Sequence, residues 1–189
     1  MQLTIPNQLT LLRIALIPVF IGIFYVDHPW SNIIASFLFG LAAFTDWLDG
    51  YLARKWQQQS PFGAFLDPVA DKLMVAAALV MLVSAHPTPW LVIPAIVIIG
   101  REIAISALRE WMAELGARAK VAVSVIGKFK TAAQMMSIGL LIFRDDLLGI
   151  PVYQIGFVLL YVAAILTLWS MVVYMMAAWP ALSGDNSGD

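Results

Sequence analysis

The sequence predicts an all-α, polytopic integral membrane protein with six transmembrane helices. Three observations carry this expectation. The 189 residues are 61% hydrophobic and 12% charged, whereas a soluble domain is about half apolar and a quarter charged. The mean hydropathy is +0.86. The apolar residues also fall in long runs separated by short polar clusters, the pattern of a chain that crosses a bilayer repeatedly. So little polar sequence separates the runs that residues 1–182 are read as a single membrane-embedded domain. The tail 183–189 is polar and glycine-containing, with the composition of a disordered segment. The absence of cysteine excludes disulfide and thiolate chemistry.

The expected spans are Leu9–Val26, Ile33–Trp56, Pro68–Ala85, Trp90–Trp111, Lys130–Phe143 and Val152–Trp179. A span needs about 20 residues, so the third and fifth are short, and their polar ends read as helical extensions at the interface. The first ten residues read as an interfacial lead-in rather than a secretory signal, because no positive side chain precedes Arg13 and no small-residue cleavage site follows the apolar run. Pro29, Pro87 and Pro89 break the short connections after the first and third spans. Trp30, Trp90 and Trp179 fall near span ends, as an interfacial belt requires. With six spans both termini share one side. That side holds ten Lys and Arg residues, from Arg13 to Lys130, and the other holds only Arg144. The positive-inside rule makes the ten-residue side cytoplasmic.

Chemistry concentrates between the second and third spans. Asp46, Asp49, Gly50, Ala53 and Arg54 follow i, i+3, i+4, i+7 and i+8, which is one helix face. Gly50 and Ala53 remove bulk where a large group must approach the backbone. Asp67 and Asp71 form an i, i+4 pair at the start of the third span. From Ser31, Asp46 lies about 22 Å along the helix, at the cytoplasmic end of the span. A carboxylate at the centre of a span costs about 2.5–3.5 kcal/mol, and Arg54 with Lys72 supplies only two positive charges for four carboxylates. One or two hard divalent ions, Mg²⁺ or Mn²⁺, would complete the balance. Asp67-Pro68 alone has the form of a helix N-cap followed by proline, with Asp71 placed to gain from the helix dipole. Asp46 and Asp49 have no such explanation inside an apolar helix.

The full pattern D-x2-D-G-x2-A-R-x8-G-x3-D-x3-D, from Asp46 to Asp71, resembles the signature of the CDP-alcohol phosphatidyltransferases. Further resemblance lies in 62–72, 101–116 and 127–131, and points to the bacterial branch that uses glycerol 3-phosphate as acceptor. It implies the family fold, a single catalytic domain, and transfer of a phosphatidyl group from CDP-diacylglycerol to glycerol 3-phosphate with release of CMP. It further implies that Asp46, Asp49, Asp67 and Asp71 hold two ions and that Asp71 is also the general base. Asn7, Thr10, Gly50, Ala53 and Arg54 would bind CDP-diacylglycerol. A homodimer in the bacterial inner membrane, facing the cytoplasm, is the family expectation; a nucleic-acid partner is not.

The acceptor phosphate calls for a second anion site. Arg101, Arg109, Lys128 and Lys130 are the candidates, since a guanidinium suits phosphate. Lys128 and Lys130 precede an expected helix start near Thr131, where backbone amides also favour anions. Arg101 could instead pair with Glu102 or anchor the span, while Arg118 and Lys120 read as solvated or headgroup contacts. The motif itself leaves inositol phosphate, serine or phosphatidylglycerol open as acceptors. A divalent-cation transporter is the rival of another class, but it needs polar residues along the whole bilayer path. Here the acids cluster on one side.

Overall fold

The structure, a computed structural model, describes residues 4–56, 60–114 and 125–182, with side chains except at 64, 125–128 and 180–182. Six helices follow one another: α1 (Ile5–Phe24), α2 (Ser31–Lys55), α3 (Pro61–Ala85), α4 (Pro89–Glu114), α5 (Val125–Phe143) and α6 (Val152–Leu182). Five of them are long and apolar enough to cross a membrane. The apolar part of α5, Phe129–Phe143, is shorter. At 19 residues α5 still reaches about 28 Å, close to the hydrocarbon thickness. The protein is an all-α, multi-pass membrane protein.

Three helix starts differ from expectation, each for a local reason. α1 begins at Ile5, with Thr4 extended before it and proline in its first turn, so Asn7 and Thr10 are helical rather than part of a lead-in. Proline suits that turn because its missing N–H is unpaired there anyway. α3 begins at Pro61, not Pro68. Ser60 is its N-cap, accepting from the Gly63 amide at 3.0 Å. The Ser60-Pro61 pair does what Asp67-Pro68 was expected to do, so Asp67 and Asp71 lie inside a helix and the N-cap reading of Asp67 fails. Pro68 is carried within α3, as membrane helices tolerate. α5 begins at Val125, so Lys130 lies within the helix and the expected amide site before Thr131 is not formed.

α1 packs on α2 and α3, α5 on α6 and α2, and α4 on α6 and α3. The core joins Phe20, Phe39, Ala42, Leu79, Ile98 and Ile138 among others. Large apolar side chains such as Phe37, Val80, Ile96, Val158 and Ile165 point outward, the arrangement for contact with lipid chains. Trp30, Trp90 and Trp179 are exposed at helix ends, as an interfacial belt requires. Close helix contacts use small residues. A Cβ on Gly156 would sit 3.0 Å from Leu140 Cβ and 3.1 Å from the Leu141 amide nitrogen. Ser137 Oγ donates to Gly156 O across the same α5–α6 contact at 2.8 Å.

α2 and α3 run in opposite directions with the same length, 25 residues each. The polar segments near the end of α2 and the start of α3 therefore meet at one level. That level holds the site.

Candidate active site

α1 supplies the polar floor. Asn7, Thr10 and Arg13 recur every three residues, so one helix face carries all three. Each is buried, at 3%, 0% and 1% exposure. Sequence reasoning counted Arg13 only as a topological charge, yet it is the central cation. Its Nη1 donates to Asp46 Oδ1 at 2.5 Å and its Nη2 donates to Asp49 Oδ2. The guanidinium fork thus spans two carboxylates one helical turn apart. A signal was available: an arginine inside an apolar span invites the functional reading given to Asp46 and Asp49.

Thr10 ties α1 to both acidic helices. Its Oγ1 lies 2.6 Å from Asp67 Oδ1, 3.3 Å from Asp49 Oδ2 and 3.1 Å from Pro6 O. A hydroxyl has one proton, and the shortest distance makes Asp67 the preferred acceptor. Asp49 is buried, whereas Asp46, Asp67 and Asp71 are partly exposed. Asp46 and Asp71 line one small cavity with Arg13, whose other walls include Phe39, Met74 and Met135. Asp71 is also in electrostatic range of Asp46, Arg13, Glu102 and Lys72. All four motif aspartates are thereby gathered around Arg13 and Thr10. Among the described residues, no three acidic or imidazole side chains are grouped closely enough to hold a metal ion as they stand.

The motif glycines have different roles. A Cβ on Gly63 would lie 2.5 Å from Asn7 Oδ1 and 3.2 Å from Ser60 Oγ, so close approach of Asn7 requires glycine there. Asn7 Nδ2 donates to Ser60 Oγ at 2.9 Å, which locks α1 to the start of α3. At Gly50 a Cβ would be in ordinary contact with Arg54 Nη1, at 3.6 Å. The exposed Arg54 side chain lies over this bare stretch of backbone, beside half-buried Ala53. Trp47, which flanks the motif, is exposed and stacks on Tyr51 with ring centroids 5.8 Å apart, on the outward face of α2.

The basic candidates meet on α4, α5 and α6. Arg101 Nη1 donates to Glu102 Oε1 at 3.0 Å and Nη2 donates to Ser170 Oγ at 3.0 Å. Lys130 Nζ donates to the same Glu102 Oε1 at 2.6 Å. Both cations are buried. Arg109 is exposed, donates from Nη2 to the Tyr174 hydroxyl at 2.7 Å, and lies 5.0 Å from the centroid of that ring. Arg101 approaches the same ring at 5.7 Å. Lys72 Nζ donates to Ser106 Oγ, which donates to Glu102 O at 2.6 Å. Arg101 and Lys130 are therefore brought together, and Arg109 is joined to them through Tyr174. Glu102 was foreseen only as an alternative partner of Arg101, and Ser106, Ser170 and Tyr174 were missed, since nothing in their spacing marks them. The Lys128 side chain, Arg118 and Lys120 lie outside the described residues.

Comparison with known proteins supplies an independent test of the motif. The family profile described as CDP-alcohol phosphatidyltransferase matches residues 3–169. A protein of Yersinia pestis (strain Pestoides F) is 53% identical over 182 residues, 96% of this chain and 98% of that protein. One from Shigella flexneri serotype 5b (strain 8401) is 53% identical over 178 residues, 94% and 96% of the two chains. Both carry the name CDP-diacylglycerol--glycerol-3-phosphate 3-phosphatidyltransferase. With the match spanning nearly the whole described bundle and the complete acidic motif, this chain belongs to the CDP-alcohol phosphatidyltransferase family.

Proposed function

We propose that the protein transfers the phosphatidyl group of CDP-diacylglycerol to glycerol 3-phosphate, giving phosphatidylglycerophosphate and CMP in phospholipid biosynthesis. The observation that carries this reading is the acidic α2–α3 motif together with a buried cation pair, Arg101 and Lys130, joined on Glu102, with Lys130 and Glu102 in electrostatic range of Asp71. The first element suits a diphosphate donor and the second a phosphate-bearing acceptor. Similarity at 53% identity to enzymes named for this reaction supports it.

In the proposed reaction the primary hydroxyl of glycerol 3-phosphate attacks the phosphorus that bears diacylglycerol. A new O–P bond forms there, and the bridging P–O bond to the cytidylate breaks. Asp71 takes the hydroxyl proton, and CMP leaves with the bridging oxygen. Asp71 suits the task because it lines the cavity with Asp46 and lies in electrostatic range of Lys72 on α3 and Lys130 on α5. Gly50 and Ala53 leave room for the nucleotide, Arg54 lies where it can meet a diphosphate, and Asn7 and Thr10 line the same end. Arg101, Arg109, Lys128 and Lys130 hold the acceptor phosphate.

Asp46, Asp49, Asp67 and Asp71 would hold Mg²⁺ or Mn²⁺, two ions in all. The donor chemistry suits such ions, being all carboxylate oxygen with one hydroxyl at hand, although the described carboxylates are not grouped to enclose an ion as they stand. Arg13 now supplies a positive charge between two of those donors, so ion binding requires Arg13 to share or yield Asp46 and Asp49. Bound ions would neutralise the diphosphate charge. We place both termini and the site on the cytoplasmic side of a bacterial inner membrane, from the ten-to-one bias of Lys and Arg, and we expect a homodimer.

The test is an assay of the purified protein with CDP-diacylglycerol and labelled acceptors. CMP release should need glycerol 3-phosphate and a divalent ion. Equal release with serine, inositol phosphate or phosphatidylglycerol would overturn the acceptor assignment.

A further inference from the structure

Glu102 is a carboxylate in the midst of a cationic site, and the transfer reaction gives it no part. Its Oε1 accepts from Arg101 Nη1 at 3.0 Å and from Lys130 Nζ at 2.6 Å. Two cations from different helices therefore share one oxygen atom. Their nitrogens cannot lie farther apart than those two bonds end to end. We propose that Glu102 is a positioning residue for the acceptor: it fixes Arg101 and Lys130 at the separation needed to hold two oxygens of one phosphate. This rests on the assignment of Arg101 and Lys130 to the acceptor site.

The surroundings explain why such a residue is needed. Arg101 and Lys130 are 9% and 5% exposed, inside a largely apolar bundle. Two like charges this close and this buried repel strongly, because little water screens them. Without a carboxylate between them the flexible lysine stem would swing away. With it, the triad keeps one net positive charge, which still attracts a phosphate dianion. Ser170 fixes the far side of the guanidinium, through Nη2 at 3.0 Å. Ser106 donates to Glu102 O at 2.6 Å and receives Lys72 Nζ, so the residue after Asp71 anchors to the same turn of α4.

Donor counting separates positioning from competition. The Lys130 ammonium has three N–H donors and uses one on Glu102. Arg101 has five and uses one on Glu102 and one on Ser170, and its buried Nε has no partner. Donors therefore remain on both cations for a phosphate while Glu102 stays in place. The remaining acceptor atom, the terminal hydroxyl of a three-carbon phosphate ester, would then extend toward Asp71, whose carboxylate lies in electrostatic range of Glu102.

The experiment compares Glu102→Gln, Glu102→Ala, Arg101→Gln and Lys130→Gln in the full-length protein, in mixed micelles of CDP-diacylglycerol. For Glu102→Gln the KM for glycerol 3-phosphate should rise roughly tenfold, as expected when a charge-assisted contact is misaligned. The KM for CDP-diacylglycerol should stay unchanged and kcat should fall less than the acceptor KM rises. Glu102→Ala should be worse than Glu102→Gln, which keeps one acceptor oxygen. If Arg101→Gln and Lys130→Gln raise the acceptor KM while both Glu102 variants leave it unchanged, positioning is wrong and the acceptor site stands. If none of the four moves it, the acceptor site itself is wrong. If the Glu102 variants shift both KM values equally along with the melting temperature, the residue is only a structural brace, and the proposal is overturned.

Discussion

Replacing Arg13 by methionine removes the only cation that the structure places between Asp46 and Asp49 among the described residues. Side-chain exposure is 2% for Arg13, 3% for Asp49 and 40% for Asp46. Removing one partner of a buried ion pair costs about 3–5 kcal/mol, because the other charge is left desolvated and unpaired. The half-exposed Asp46 arm adds little, since exposed pairs are worth about 0–1 kcal/mol. Asp49 keeps one contact, Thr10 Oγ1 at 3.3 Å, which is long for a hydroxyl bond. The expected loss is therefore about 3 kcal/mol, at the lower end of the buried-pair range. It should be measured as the unfolding free energy of the detergent-solubilised protein in chelator. Adding Asp49→Asn should recover much of the loss, because the stranded charge is gone, and this coupling isolates the pair. A divalent ion bound at 100 times its Kd should return about 2.7 kcal/mol to the single variant. Arg13→Met within about 0.5 kcal/mol of the parent, the range of an ordinary surface substitution, would refute the reasoning.

Three further outcomes follow from the same geometry. Asp71→Asn should lower kcat by about 10²–10⁴, the usual worth of a general base, with the KM for CDP-diacylglycerol nearly unchanged; turnover near the parent rate would remove its assigned role. Gly63→Ala places a methyl group 2.5 Å from Asn7 Oδ1 and should cost about 1–3 kcal/mol as an overpacking change, with a raised KM for the nucleotide substrate; unaltered stability and KM would show that α1 shifts freely. At the far end of the bundle, burial and then the Arg144 charge hold the His86 imidazole below the ordinary histidine range. Arg144→Gln should therefore raise the His86 titration midpoint by NMR. A folded pKa below the unfolded one means stability is lost as pH falls through the His86 range, and that acid-side slope should flatten in the variant. An unmoved midpoint would remove Arg144 as a cause.

Hydropathy made the six-helix topology legible, because bilayer thickness imposes a minimum length on each apolar run. Helix starts were less so. They depend on which of several competing cap and proline pairs wins, and Ser60-Pro61 prevailed over Asp67-Pro68. The acidic face was readable because Asp46 and Asp49 share a helix, so their spacing alone puts them together. The partners of those acids come from other helices. Thr10 lies 57 positions from Asp67, and Arg101 lies 69 from Ser170; no periodicity reports such contacts. Arg13 is different, since its place inside an apolar run was visible, and only its reading as a topological charge hid its role. Glu102 was visible as a neighbour of Arg101, but its bond to Lys130 on α5 was not.

The Arg13 fork also bears on how the chain enters the membrane. As α1 leaves the ribosome it carries Arg13 within an apolar segment and with no counter-charge of its own, since α1 has no acidic residue. An unpaired arginine within a span raises the free energy of insertion, by up to about 2.5–3.5 kcal/mol at the centre. The neutralising groups arrive only with the last turns of α2. The two segments are thus better suited to enter as a helical hairpin than in succession, so integration of α1 should improve once α2 has been synthesised. A nascent chain arrested between them should integrate less completely than one arrested after Lys55.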